Sequence, residues 1–146
     1  MKTAYNIIAL VTLALLWSCS NSDDNNPSPS DGGLTPDQVT GDWKVSYYYD
    51  NGKDETSDFS AFVFNFNADG SFEAGSSAQN YSGSWSIGEI GDDSSSSSKK
   101  LVITITGNEK INNLSDDWLI LSVSSNEIRL KDDSDNSVEE LHFVRN

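Results

Sequence analysis

Little in this chain is equipped for covalent chemistry. It holds one cysteine and one histidine in 146 residues, so no disulfide can form within it. No HExxH, GxSxG or GxxxxGK string is present, which removes the commonest zinc-protease, serine-hydrolase and phosphate-loop signatures. Basic residues are scarce, nine against 23 acidic ones for a formal net charge of −14. All the acidic residues lie at or beyond Asp23, and one basic residue, Lys2, lies near the start. A field of that sign repels nucleic acid and anionic head groups, and no aromatic-basic patch offsets it. Nucleic acid is therefore not an expected partner. No internal repeat is visible, and no apolar run reaches the ~20 residues a membrane-spanning helix needs.

The longest apolar stretch covers residues 7–17, broken only by Thr12. With Lys2 ahead of it, it reads as a removable export signal. It ends in Leu16-Trp17-Ser18-Cys19. Leu16, Ser18 and Cys19 resemble the processing box of bacterial lipoprotein signal peptides. That resemblance implies removal of residues 1–18 and a lipid anchor on Cys19, the membrane being the partner. Thioether formation there would also dispose of a free thiol in an exported chain. A plain secretory signal cleaved near Ser18 or Ser20 is the alternative. Residues 19–33 are Ser, Asn, Asp, Pro and Gly after the cysteine, with nothing able to build a core, and read as a flexible tether. Within it, Ser22-Asp23-Asp24 resembles the acidic tags that send lipoproteins to the outer face of the outer membrane in some Gram-negative bacteria. A periplasmic face is the other reading.

Residues 34–146 suffice for one domain. Thr35-Pro36-Asp37-Gln38 reads as a capping box with proline at the first helical position, and Leu34 and Val39 occupy the staple positions. Thr40-Gly41 ends this helix after about one turn. From there the pattern is strand and turn. Trp43, Val45, Tyr47 and Tyr49 form one inward row, followed by Phe62, Phe64 and Phe66. Asn67-Ala68-Asp69-Gly70 then makes a tight hairpin. Phe72 and Ala74 continue the series, then Tyr81, Gly83, Trp85 and Ile87, then Leu101, Ile103 and Ile105. Residues 118–123 are apolar at nearly every position, so alternation assigns them no inward face. Ile128 with Leu130, and Leu141 with Phe143 and Arg145, close the chain. Residues 92–100 form a low-complexity loop of Asp, Ser and Lys. Eight strands joined mostly by short connections favour an all-β, antiparallel, up-and-down barrel with a short N-terminal helical turn. A Greek-key sandwich is the competing architecture.

A one-turn helix, then Gly41-Asp42-Trp43 opening the first of eight meandering strands, then Arg145 on the last, resembles the lipocalin and lipocalin-like superfamily over residues 34–146. The resemblance implies that Trp43 plugs the closed end of the barrel and that Arg145 packs across it. The residues agree independently, because Arg145 shares parity with inward Leu141 and Phe143, and stacking on an indole gives an inward cation a partner. The chain is more compact than typical lipocalins and lacks their C-terminal helix and cysteines. It looks most like the lipocalin-like domains of bacterial lipoproteins.

No catalytic centre emerges. His142 falls on the outward parity beside Glu140 and reads as a surface residue. Asp116-Asp117 reads as a solvated loop end. Asp132-Asp133-Ser134-Asp135-Asn136 lacks the spaced glycine and terminal glutamate of a calcium loop. Neither a metal nor another cofactor is expected. Two functions remain. In the first, the barrel carries a small hydrophobic ligand, lined by Tyr47, Phe64, Phe66 and Trp85. Its mouth lies among the loops at 50–58, 75–80, 107–117 and 132–137. In the second, six Phe, five Tyr and four Trp fill the barrel, and the domain is a surface interaction module for a protein or glycan.

Overall fold

The computed structural model describes residues 34–89, 99–134 and 138–146. The leader, the Cys19 anchor and the tether lie outside the described residues, as do most of the Ser-rich loop and Asp135, Asn136 and Ser137. Among the described residues no helix is long and apolar enough to cross a membrane.

The chain begins with α1 (Pro36–Val39). Gln38 Oε1 accepts hydrogen bonds from the Thr35 amide at 2.9 Å and the Thr35 hydroxyl at 3.1 Å. Leu34 and Val39 are buried on either side of this turn, as a hydrophobic staple requires. Nine strands follow: β1 (Gly41–Asp50), β2 (Lys53–Asp54), β3 (Val63–Phe66), β4 (Ser71–Gly75) and β5 (Asn80–Glu89) in the first half. In the second half come β6 (Lys99–Ile105), β7 (Asp116–Val123), β8 (Glu127–Asp132) and β9 (Glu140–Arg145). All pair antiparallel in the order β2-β1-β3-β4-β5-β6-β7-β8-β9, and β1 also pairs with β9. That last pairing closes the sheet. The two-residue β2 only extends the far end of β1, so the architecture is the closed eight-stranded up-and-down barrel, not a sandwich. Two elements sit in its connections: a 3-10 helix (Thr56–Phe59) and α2 (Glu109–Asn112).

The inward rows follow alternation except where a bulge intervenes. Val45 pairs with Phe143, but the next paired residue of β1 is Tyr47, opposite His142. Ser46 is the extra residue, and an inserted residue reverses the parity beyond it. Tyr48, not Tyr47 or Tyr49, therefore enters the core. Tyr47 lies on the outer surface beside Tyr49 and His142, with ring centroids 6.3 Å and 5.0 Å away. The expectation that Tyr47 lines the interior is corrected on this ground. A second bulge between Ile120 and Ser122 resolves the ambiguous run on β7. Trp118 is buried, Ile120 and Val123 pack on the core, and Leu121 is turned to solvent.

Candidate functional site

Both ends of the barrel are built by the same local device. A four-residue helix precedes a strand whose third residue is tryptophan, and the indole N–H donates back to a carbonyl four residues earlier. At one end Trp43 Nε1 donates to Val39 O at 2.7 Å; at the other, Trp118 Nε1 donates to Leu114 O at 3.1 Å. Both indoles are fully buried, so each bond satisfies a donor that would otherwise be costly.

The Trp43 end also holds Arg145, whose Cζ lies 4.0 Å from the indole centroid. Its guanidinium donates to Thr40 O at 2.7 Å, Gln38 O at 3.2 Å and Ser125 O at 3.1 Å. One cation thus ties α1 and the β7–β8 turn across the indole face. Gly41 makes room for it. A Cβ at that position would stand 2.2 Å from Arg145 Nη1, and the backbone there has φ +128.

The opposite end, where the loops of a carrier's mouth would open, is covered. Phe59 and Phe62 from the β2–β3 connection, and Ile111 and Leu114 from the β6–β7 connection, are all buried. Phe59 packs edge-on against Tyr48, with centroids 5.1 Å apart. Lys110 of α2 forms an ion pair with Asp58 of the 3-10 helix, linking the two covering elements. The Asn108 side chain caps α2 by accepting from Ile111 N at 3.0 Å. Between the ends, Phe64 and Phe66 touch Phe72 and Phe143, at centroid separations of 4.6–6.0 Å. Trp85 meets Phe66 edge-on at 5.7 Å and donates to Asn67 O at 2.9 Å. Phe64, Phe66, Phe72, Leu101, Leu130, Leu141 and Phe143 have no exposed surface. A void large enough for one water would give its lining some, so these side chains pack against one another.

Charge collects on the covered end. Asp116, Asp132 and Glu139 each place a carboxylate oxygen within 4.8 Å of the others, a spacing one cation could bridge. Burial, followed by the Asp50 charge, raises Glu139 to about 7, and burial also raises Asp116. Proton uptake at Glu139 relieves the same repulsion that a cation would. Asp132 also accepts from the Ser134 amide at 3.0 Å and its hydroxyl at 2.6 Å, so part of its capacity serves the turn. Nearby, Lys100 pairs with Asp117 and Asp133.

His142 sits on the outer surface, 2.6 Å from Glu140 Oε1 and 3.3 Å from Arg129 Nε. No hydroxyl or thiol among the described residues bonds its ring. A different outer feature is concave. Over β3, β4 and β5 lies an open groove of about 450 Å³, with Val63, Asn65, Glu73, Gly75, Asn80 and Ser82 among its lining residues. Asn65 Nδ2 donates to Asp42 Oδ1, while Asn65 Oδ1 is buried without a partner, a state that costs about 1–3 kcal/mol. Alternation gives no hint of this groove, because polar outward residues look alike whether the surface is flat or hollow.

No protein-family profile and no curated protein matches the chain. Among solved structures, the barrel is similar to the crystal structure of a DUF4847 family protein from Bacteroides vulgatus. The two share 19% identity with a TM-score of 0.49, over 74% of this chain and 94% of that one.

Proposed function

We propose that this chain is a lipid-anchored, non-catalytic, lipocalin-like module at the outer membrane of a Gram-negative bacterium, facing the cell surface. In this reading its barrel is a filled scaffold, and binding takes place on the outside. One observation carries the choice against a carrier: the inward aromatic rows have no exposed surface, and both ends are plugged. A carrier needs about 300–1,000 Å³ of enclosed apolar space, and of the residues expected to line it Tyr47 lies outside while Phe64, Phe66 and Trp85 are packed into the core. The anchor rests on Cys19 behind Leu16 and Ser18, and the outward face on Ser22-Asp23-Asp24.

Two measurements test this. Adding a fatty acid or an aromatic probe to the full-length chain should leave its melting temperature unchanged. A saturable rise would restore the carrier reading. In the native host, Cys19→Ser should move the protein out of the membrane fraction and abolish acyl labelling. Retention with unchanged labelling would rule out the anchor.

A further inference from the structure

We infer that the turn Asn51-Gly52 is a self-modifying site, at which the folded protein releases ammonia from Asn51 and gains a carboxylate in its place. The reaction needs only water. The backbone nitrogen of Gly52, on losing its proton, attacks Cγ of Asn51, and the new C–N bond closes a five-membered succinimide. The Cγ–Nδ2 bond breaks, and Nδ2 takes up a proton and leaves as ammonia. Water then adds to one of the two ring carbonyls and opens the ring. Breaking the bond at Cγ gives aspartate. Breaking the bond at the backbone carbonyl gives isoaspartate, with the main chain rerouted through the side chain. Nothing is oxidised or reduced.

The local structure leaves both reacting groups available. Asn51 and Gly52 form the exposed tip of the β1–β2 hairpin. Their φ angles are 47 and 89, both positive as a two-residue type I′ turn requires. Asn51 is the one non-glycine residue with positive φ among the described residues, a conformation that stores strain. The Gly52 amide donates to no acceptor among the described residues, and a Cβ on Gly52 would meet nothing within 4 Å. The Asn51 carboxamide is held by one bond, from Nδ2 to Asp50 Oδ1 at 2.5 Å. Behind the tip, β2 pairs only Tyr49 with Asp54 and Asp50 with Lys53. The base of the hairpin is tied separately, by Glu55 N donating to Tyr48 O and Tyr48 N to Thr56 Oγ1, each at 2.9 Å. The tip can therefore open and turn Gly52 N toward Cγ while its base stays in place.

The β3–β4 hairpin shows the opposite state. Its tip carries Asp69-Gly70, and Gly70 also has a positive φ, 85. Here the amide is engaged: Gly70 N donates to Asn67 O at 3.0 Å, and Trp85 N donates to Gly70 O at 2.8 Å. Asp69 Oδ1 accepts from the Ser71 amide at 2.9 Å and the Ser71 hydroxyl at 2.7 Å. The attacking and attacked groups are both tied. At position 51 the product also adds charge to an acidic end. Asp50, its neighbour in the chain, already faces Glu139, and Asp116 and Asp132 lie beside Glu139.

The test is incubation of the full-length Asp69→Asn variant in mildly alkaline buffer, folded and, in parallel, in urea. That change puts two Asn-Gly steps in one molecule and keeps an Oδ1 acceptor for Ser71. Peptide mapping follows aspartate and isoaspartate at each step. In urea the two should convert at similar rates. In the folded protein, position 51 should convert at least about tenfold faster than position 69, the factor for one hydrogen bond that must first break. The unsubstituted chain should release ammonia in step with the loss of Asn51. Asn51→Gln, whose longer side chain would have to close a six-membered ring, should suppress that release. Equal rates at the two positions in the folded protein would overturn the inference, as would an Asn51 that converts only in urea. Ammonia release left unchanged by Asn51→Gln would place the reaction elsewhere and overturn it too.

Discussion

At the scale of the residue, the three positions Gly41, Trp43 and Arg145 act as one unit. Arg145 reaches the indole only because position 41 has no side chain. Gly41→Ala should therefore cost about 2–4 kcal/mol, from left-handed strain plus displacement of the guanidinium. Gly52 provides the comparison, since it also has a positive φ, +89, but an added Cβ there meets nothing. Gly52→Ala should cost only about 1–2 kcal/mol. In an Arg145→Ala background the Gly41→Ala penalty should fall to the Gly52 level, which urea unfolding of the double-mutant cycle measures. An undiminished penalty would show that Arg145 is not what Gly41 accommodates. Parity alone brought Trp43 and Arg145 to the inward face in the sequence. Parity also misplaced Tyr47, because Ser46 inserts one residue with no compositional mark. The carbonyls that Arg145 binds, Gln38, Thr40 and Ser125, belong to the backbone and leave no trace in side-chain patterning.

At the scale of the element, strands were legible, and of the short helices only α1 was. Rows such as Phe62-Phe64-Phe66 and Leu101-Ile103-Ile105 declare a period of two over several residues. The capping box at Thr35 revealed α1 despite its four residues. The equally short α2 escaped notice, since one turn is too brief for a 3.6-residue period. Its signal was there in Asn108, a good N-cap, followed by acidic Glu109 in the first turn. The element covers the end of the barrel, so its cap should matter to the whole fold. Asn108→Ala should lower stability by about 1 kcal/mol in thermal unfolding. Because Asn108 also holds the Tyr81 hydroxyl, the same change should loosen the Tyr81 ring where it packs against Phe62. An unchanged melting temperature would show that α2 stays docked without its cap.

At the scale of the whole molecule, the excess of carboxylates sets the response to pH. Glu139, raised to about 7 by burial and by Asp50, holds a proton in the folded state that the unfolded chain has released above its ordinary value of 4.5. Asp116 shifts the same way. The folded state thus binds more protons across this window, and stability should fall as pH rises from about 4.5 to about 7, then level off. Asp54 and Asp69 act oppositely. Hydrogen bonds from Thr56 and Ser71 lower them below 3.8, so their contribution is present above that value and lost only in stronger acid. Melting temperatures measured across the range should peak near about pH 4. Glu139→Gln should flatten the descent toward neutrality. A descent of unchanged steepness in that variant would assign the effect to other carboxylates.

The seam between β1 and β9 joins the two ends of the domain, with Trp43 opposite Arg145. A chain made N-terminus first therefore delivers one flank of its first strand long before the partner for that flank arrives. Until the final strand emerges, β1 offers open amides and carbonyls to any neighbour. Contacts so distant in sequence also make the last step of assembly slow compared with the local latches at Trp43 and Trp118. Those latches, each spanning only four residues, can form on a nascent chain. The ring itself can close only once, at the end, and a nascent chain is vulnerable until that moment.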